Sequence, residues 1–222
     1  MGWFGAGRAA VLASARSAVT ESQENNAAVL RVVQALGRAR SVADATRIAL
    51  DTVRESFGWA YGSFWEVDPD GEVLRFAAES GDAGPEFRTV TLAASFAEGV
   101  GLSGRAWQAK DLVFVADIGQ LTDCVRAPVA VQAGVRSGVC FPVLADGRVV
   151  GTMDFFTTDV LGELSASRTE ALRNAVFLVA EARQRIEEAN RISSAGAELV
   201  TSIEEAERNV IAATSVAPRR RA

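Results

Sequence analysis

Few residues of this chain are of a type and spacing suited to chemistry. Gly99-Val100-Gly101-Leu102-Ser103-Gly104 spells G-x-G-x-x-G, and Asp117 follows an apolar run where a dinucleotide site would place its ribose ligand. That fingerprint needs a strand directly before it and a crossover helix after it. Here Ala94-Ser95-Phe96-Ala97-Glu98 comes first, and only about two helical turns fit before Leu112. The segment is therefore expected to be a glycine turn that lets backbone pass close to a sheet. Cys124 is the candidate reactive thiol, because Arg126 follows it in a polar loop and a nearby cation favours the thiolate. Cys140 lies in the apolar run Gly138-Val139-Cys140-Phe141-Pro142-Val143 and reads as a small core hydrophobe. Asp117 and Asp123 could form a carboxylate pair, but loop acids of this kind are more often turn formers. The chain contains no histidine, so it lacks the usual general base, the usual Ser or Cys activator and the commonest zinc and haem ligand. Catalysis is not expected.

Composition narrows the partners. The 222 residues carry a net charge of −5, and Lys110 is the sole lysine among the basic residues. No broad cationic surface is left for nucleic acid, whose affinity rests on phosphate neutralisation. Two cysteines are too few for a disulfide framework in a chain this long and fit a reducing compartment. The apolar run Ala9 to Ala13 is shorter than the ~7–15 residues of a signal core. No stretch approaches the ~20 apolar residues of a membrane span. The expectation is a cytoplasmic protein without membrane insertion.

The elements that must position these residues follow from periodicity. Residues 1–24 are expected to form a tail, partly helical or disordered, before a helix over Asn25 to Arg38 with Val29, Val33 and Leu36 inward. A second helix starts at the capping-box-like Ser41-Val42-Ala43-Asp44 and ends at Gly58. Trp59 to Val67, the turn Asp68-Pro69-Asp70-Gly71, and Val73 to Ala78 predict a hairpin. Ser137 to Ala145, Asp146-Gly147, and Arg148 to Thr157 predict another. Phe87 to Leu92 and Leu112 to Ala116 read as further strands, and Gly104 to Lys110 and Pro128 to Ala133 as short helices over one face. This order is α+β rather than repeating βα units.

The expected organisation is a sensor-sized domain over 25–164, a long helix over 165–216 and a basic tail over 217–222 that includes Arg219-Arg220-Arg221. Along the helix Val176, Val179, Ala182, Ile186, Ala189, Ile192, Gly196, Leu199, Ile203, Ala206 and Val210 step by three or four, and Val176, Val179, Ile186, Ile192, Leu199, Ile203 and Val210 are its larger members. One small domain cannot bury so long a stripe, which predicts a parallel homodimer through a coiled coil; the alternative is a helix that folds back on its own domain.

Several ordered segments resemble GAF domains over roughly Ser41 to Ala182, with the nearest look to those of bacterial sensor kinases and chemoreceptor-like signalling proteins. They are Phe96 to Trp107, Val113 to Ile118, Ala133 to Val143 and Val150 to Phe156. The resemblance implies a central antiparallel sheet flanked by helices, with an N-terminal helix and a long C-terminal coiled-coil helix. It also implies a small-molecule pocket between one sheet face and its short helices. By position, that pocket would be lined by Trp65, Phe76, Phe96, Trp107, Cys124, Arg126 and Met153. The missing histidine speaks against the haem-binding members. Ser103 stands where members that reduce free methionine sulfoxide carry a catalytic cysteine, and Val125 stands where bilin-binding members carry a histidine after the attachment cysteine. No cofactor is assigned. The expected role is a regulatory module that couples a ligand pocket to a dimeric helix and so to a downstream signalling protein. The alternatives are a dimerisation scaffold that binds nothing and, further off, a thiol-dependent redox enzyme or a bilin photoreceptor using Cys124.

Overall fold

The structure is a computed structural model that describes residues 3–215. The basic tail expected over 217–222 lies outside the described residues. Six strands form one antiparallel sheet in the order β3-β2-β1-β6-β5-β4. They are β1 (Tyr61–Val67), β2 (Val73–Gly81), β3 (Ser95–Ala97), β4 (Val113–Val115), β5 (Ser137–Ala145) and β6 (Arg148–Thr157). The helices are α1 (Trp3–Leu36), α2 (Val42–Phe57), α3 (Pro85–Ala93), α4 (Gly101–Ala109), α5 (Ala127–Gln132) and α6 (Ala166–Ser215). The chain divides into two units, residues 1–183 and residues 184–222. The first holds the sheet; the second includes the C-terminal part of α6.

Local chemistry accounts for the elements nearest the sheet. The Ser41 hydroxyl accepts the Asp44 N–H at 3.0 Å and caps α2, and Gly58 ends the helix in the left-handed region at φ 72°. Between these caps Ala45, Ala49, Leu50, Val53 and Phe57 form the buried face. Asp146 and Gly147 both take positive φ, 50° and 75°, and close the β5–β6 hairpin as a twist-matched two-residue loop. Sheet register sorts the side chains. Tyr61, Ser63 and Trp65 share one face with Cys140, Asp154 and Phe156, here the distal face, on which α4 packs. Phe64, Phe141, Met153 and Phe155 share the other face, beneath α2.

Three elements differ from the sequence expectation. α1 is continuous from Trp3, because the alanine-rich stretch before Asn25 holds strong helix formers and no proline. Its buried stripe is Ala28, Val32 and Leu36, while Val33 is exposed. Phe87 to Leu92 is part of helix α3 rather than a strand. Pro85 in its first turn starts the helix, and Phe87 and Thr91, one turn apart, are its buried pair. The β-branched Thr89, Val90 and Thr91 imitate strand composition there. The strand in this region is the short β3, which presents Phe96 to the interior.

The glycine run forms the turn that admits α4. A Cβ added to Gly104 would lie 2.1 Å from the Ala97 carbonyl oxygen, and the Gly99 N–H donates to the Gly104 carbonyl at 2.8 Å. Gly104→Ala should therefore push α4 off the sheet and cost about 1–3 kcal/mol or more, as overpacking against backbone does. Urea unfolding of the variant should show the loss, and an unchanged midpoint would disprove the close approach.

Candidate functional site

The distal interior is organised around one carboxylate. Asp154 on β6 is fully buried, and such a charge is tolerated only when paired and hydrogen-bonded. It accepts from the Ser63 hydroxyl, from Trp65 Nε1–H at 3.0 Å and from the Ser103 hydroxyl at 2.9 Å. Its charge partner is Arg126, which donates to it through Nη2. The guanidinium also reaches Ser63 Oγ at 3.3 Å through Nη1 and Ser103 Oγ at 3.4 Å through Nη2. Arg126 is 2% exposed and comes from the N-terminal cap of α5.

Aromatic rings surround this cation. The Arg126 guanidinium carbon lies 4.7 Å from the Trp65 ring centroid, 5.1 Å from those of Phe96 and Phe156, and 5.8 Å from that of Phe87. The rings also hold one another edge-on, as Trp65 does with Phe96 at 4.9 Å and Phe87 with Phe156 at 5.9 Å. Burial alone would lower the guanidinium pKa, but the charge and hydrogen bond of Asp154 outweigh it and raise the value. Burial and the negative charge of Asp154 together push the Cys140 thiol well up. Burial, then the charges of Asp154 and Glu79, push the Tyr61 phenol up, and its hydroxyl donates to Glu79 at 3.0 Å. The Cys140 thiol and the Tyr61 phenol are thus held in their neutral forms, and Arg126 is locked in a pair with Asp154.

Most of the residues expected to line a pocket do meet here. Trp65, Phe96 and Arg126 form the box; Phe76 stacks edge-on against Trp65 at 5.7 Å, and Trp107 packs half-buried against the same cluster. Two expectations need correction. Met153 points to the opposite face, opposite Phe64 in the register, because it neighbours Asp154 on one strand and side chains alternate. Cys124 is buried at 7% exposure rather than lying in an open polar loop, and it packs in the distal core with Leu121 and Ala127. Asp154, Ser63, Ser103, Phe87 and Phe156 were not foreseen as site residues. One signal was legible: Asp154 interrupts an apolar strand at a position whose alternation points inward.

The loop acids serve as caps. Asp117 accepts the Gly119 N–H at 2.9 Å and starts the 3-10 turn Ile118–Gln120. Asp123 accepts the Gly101 N–H at 3.0 Å at the start of α4 and pairs with Arg105 at 3.0 Å. Among the described residues no three His, Cys, Asp or Glu side chains converge as a metal site would require.

A family model described as GAF domain matches residues 39–184, more than half of the chain. The chain belongs to the GAF domain family. Solved structures agree with this GAF fold. A free methionine-R-sulfoxide reductase from Neisseria meningitidis, in complex with its substrate, is 18% identical with a TM-score of 0.63, over 76% of this chain and 93% of that one. The GAF domain of a phosphoenolpyruvate-protein phosphotransferase from Coxiella burnetii is 11% identical with a TM-score of 0.64, over 77% and 98%. A protein described as a GAF sensor, from Burkholderia vietnamiensis, is 16% identical with a TM-score of 0.59, over 76% and 93%. At such identities the likeness shows the fold alone. No curated protein matches the sequence. GAF domains are typical of signalling sensor modules, and no described helix of this chain is long and apolar enough to cross a membrane.

The cap at α4 has a pH signature. The Gly101 N–H bond, aided by Arg105, holds the Asp123 carboxyl below the usual carboxylate range. A depressed folded pKa means stability present above the unfolded value of about 3.9 and lost as pH falls through the lower folded value. Asp123 is part-exposed, so its charge is worth about 0.5–1 kcal/mol after solvent screening. Asp123→Asn should lower Tm at pH 7 by about 1–4 °C. The gap should close below about pH 3. A gap that persists in acid would show that the charge is not the cause.

Proposed function

We propose that this GAF domain is the sensing half of a cytoplasmic signalling module, and that α6 carries its state to a downstream protein as a parallel coiled-coil homodimer. The observation that carries this reading is the change of surroundings along α6. Ala171, Leu172, Ala175, Val176 and Val179 are buried, as is Ile186 further on. Beyond them Ala189, Ile192, Gly196, Leu199, Ile203, Ala206 and Val210 alternate spacings of three and four, and the larger four are 50–64% exposed. That repeat is a coiled-coil seam. Water is a poor neighbour for it.

The expected dimer stripe therefore needs trimming. Val176 and Val179 are buried within the first unit, whereas Ile192, Leu199, Ile203 and Val210 are exposed and form the proposed seam toward a second copy. Gly196 has open space around its Cα and is the one seam position without a side chain. On the ligand side, Trp65, Phe76, Phe96 and Trp107 are the proposed recognition residues, around the interior that Arg126 fills. The rival reading is a dimerisation scaffold that senses nothing, and the filling of the distal interior by Arg126 is the observation in its favour.

Leu199→Asp with Ile203→Asp should leave the circular dichroism and Tm of the folded domain nearly unchanged, since both residues are exposed in one chain. Sedimentation equilibrium should find the wild type dimeric at micromolar concentration and the variant's Kd raised about a hundredfold or more, roughly 2.7 kcal/mol. A wild-type monomer, or a variant that dimerises as well as the wild type, would refute the seam.

A further inference from the structure

We propose, resting on the sensor reading above, that the distal box is a site for a small organic cation carrying a guanidinium or amidinium group. Arg126 is then its built-in occupant, which the ligand displaces from Asp154.

The walls of the box are contributed by elements other than the one that fills it. Trp65 comes from β1, Phe87 from α3, Phe96 from β3 and Phe156 from β6, while Ser63, Ser103 and Asp154 make the polar end. The charge that fills it, Arg126, comes from a different segment, at the N-terminal cap of α5. The carboxylate stays oriented without it, because Ser63, Trp65 and Ser103 donate to it directly. Four rings and a fixed carboxylate are a receptor for a flat, weakly hydrated cation.

The resident cation fits this receptor imperfectly. Its Nε–H is buried with no hydrogen-bond partner among the described residues, a cost that a tethered side chain cannot relieve by turning. A free guanidinium can rotate to place its donors. Charge selects the ligand class as well. An anion or a neutral ring entering the emptied box would leave Asp154 buried and unpaired, whereas exchanging one cation for another keeps the interior neutral. Displaced, Arg126 returns its charge to water and frees the segment before α5 from the sheet.

Methylguanidinium is the direct probe, titrated calorimetrically at constant ionic strength into the full-length wild type, Arg126→Ala and Asp154→Asn. Wild type should bind saturably, Arg126→Ala about 10–100-fold more tightly because the competitor is gone, and Asp154→Asn should show no binding. If Arg126→Ala does not fold in buffer, its folded yield should return with millimolar methylguanidinium chloride and not with sodium chloride at equal ionic strength. The inference is overturned by a folded Arg126→Ala that does not bind, by binding that survives Asp154→Asn, or by a folded yield that the probe does not restore. A wild type silent at a hundred times the Kd of Arg126→Ala overturns it too, since Arg126 would then be a permanent filling. Sedimentation of the same samples keeps the seam separate: a monomeric wild type that binds the cation refutes only the dimeric output.

Discussion

One buried ion pair is the constraint to which the distal half of this domain is fitted. Asp154 sits on a central strand, where a lone carboxylate would be intolerable. Its partners come from separate segments: Ser63 and Trp65 from β1, Ser103 from α4 and Arg126 from the edge of α5. Satisfying the charge thus fixes α4 and the loop before α5 to the sheet. The glycine turn serves the same end, because Gly104 lets α4 come close enough for the neighbouring Ser103 to reach the carboxylate. Pairs of this kind add little net stability over a well-packed apolar core, but losing one member is costly, so they specify an arrangement more than they strengthen it.

The opposite face carries a second buried arginine. Arg183 of α6 reaches Thr46 of α2 and Glu66 of β1, with its guanidinium carbon 4.9 Å from the Phe64 ring centroid. A hollow of about 390 Å³ lies beside it, lined by Val42, Phe64, Glu66 and Ala78 among others. Trp65 and Glu66 are successive residues of β1, so the strand that walls the aromatic box also holds the contact to α6. A sheet one layer thick joins the two sides by covalent connection. The proposed coupling of the box to α6 rests on this connection.

Much of the fold was legible because its signals are local. The β5–β6 hairpin follows from Asp146-Gly147 between alternating strands, and α2 from Ser41 and Gly58 at its ends. The site was legible only by half. Trp65, Phe96 and Arg126 stood out as aromatic and cationic residues near the family's pocket, yet sequence does not say that the cation is the filling. That depends on Asp154 facing Ser63 across β1 and β6, a pairing between residues 91 positions apart. Met153 lies a single step of alternation from the distal face, and the polar neighbours of Cys124 in sequence do not expose it in space. In α3, Thr89, Val90 and Thr91 favour a strand by composition, whereas Pro85 and the burial of Phe87 decide for a helix.

The dependence of the domain on its ion pair is tested most directly by a double-mutant cycle in urea with Arg126→Met, Asp154→Leu and the two combined. Each single change leaves one buried charge uncompensated and should cost about 3–5 kcal/mol. The combined change should cost clearly less than the sum, with a coupling of about 2 kcal/mol or more. Single costs below about 1 kcal/mol, or costs that simply add, would contradict the central place given to the pair.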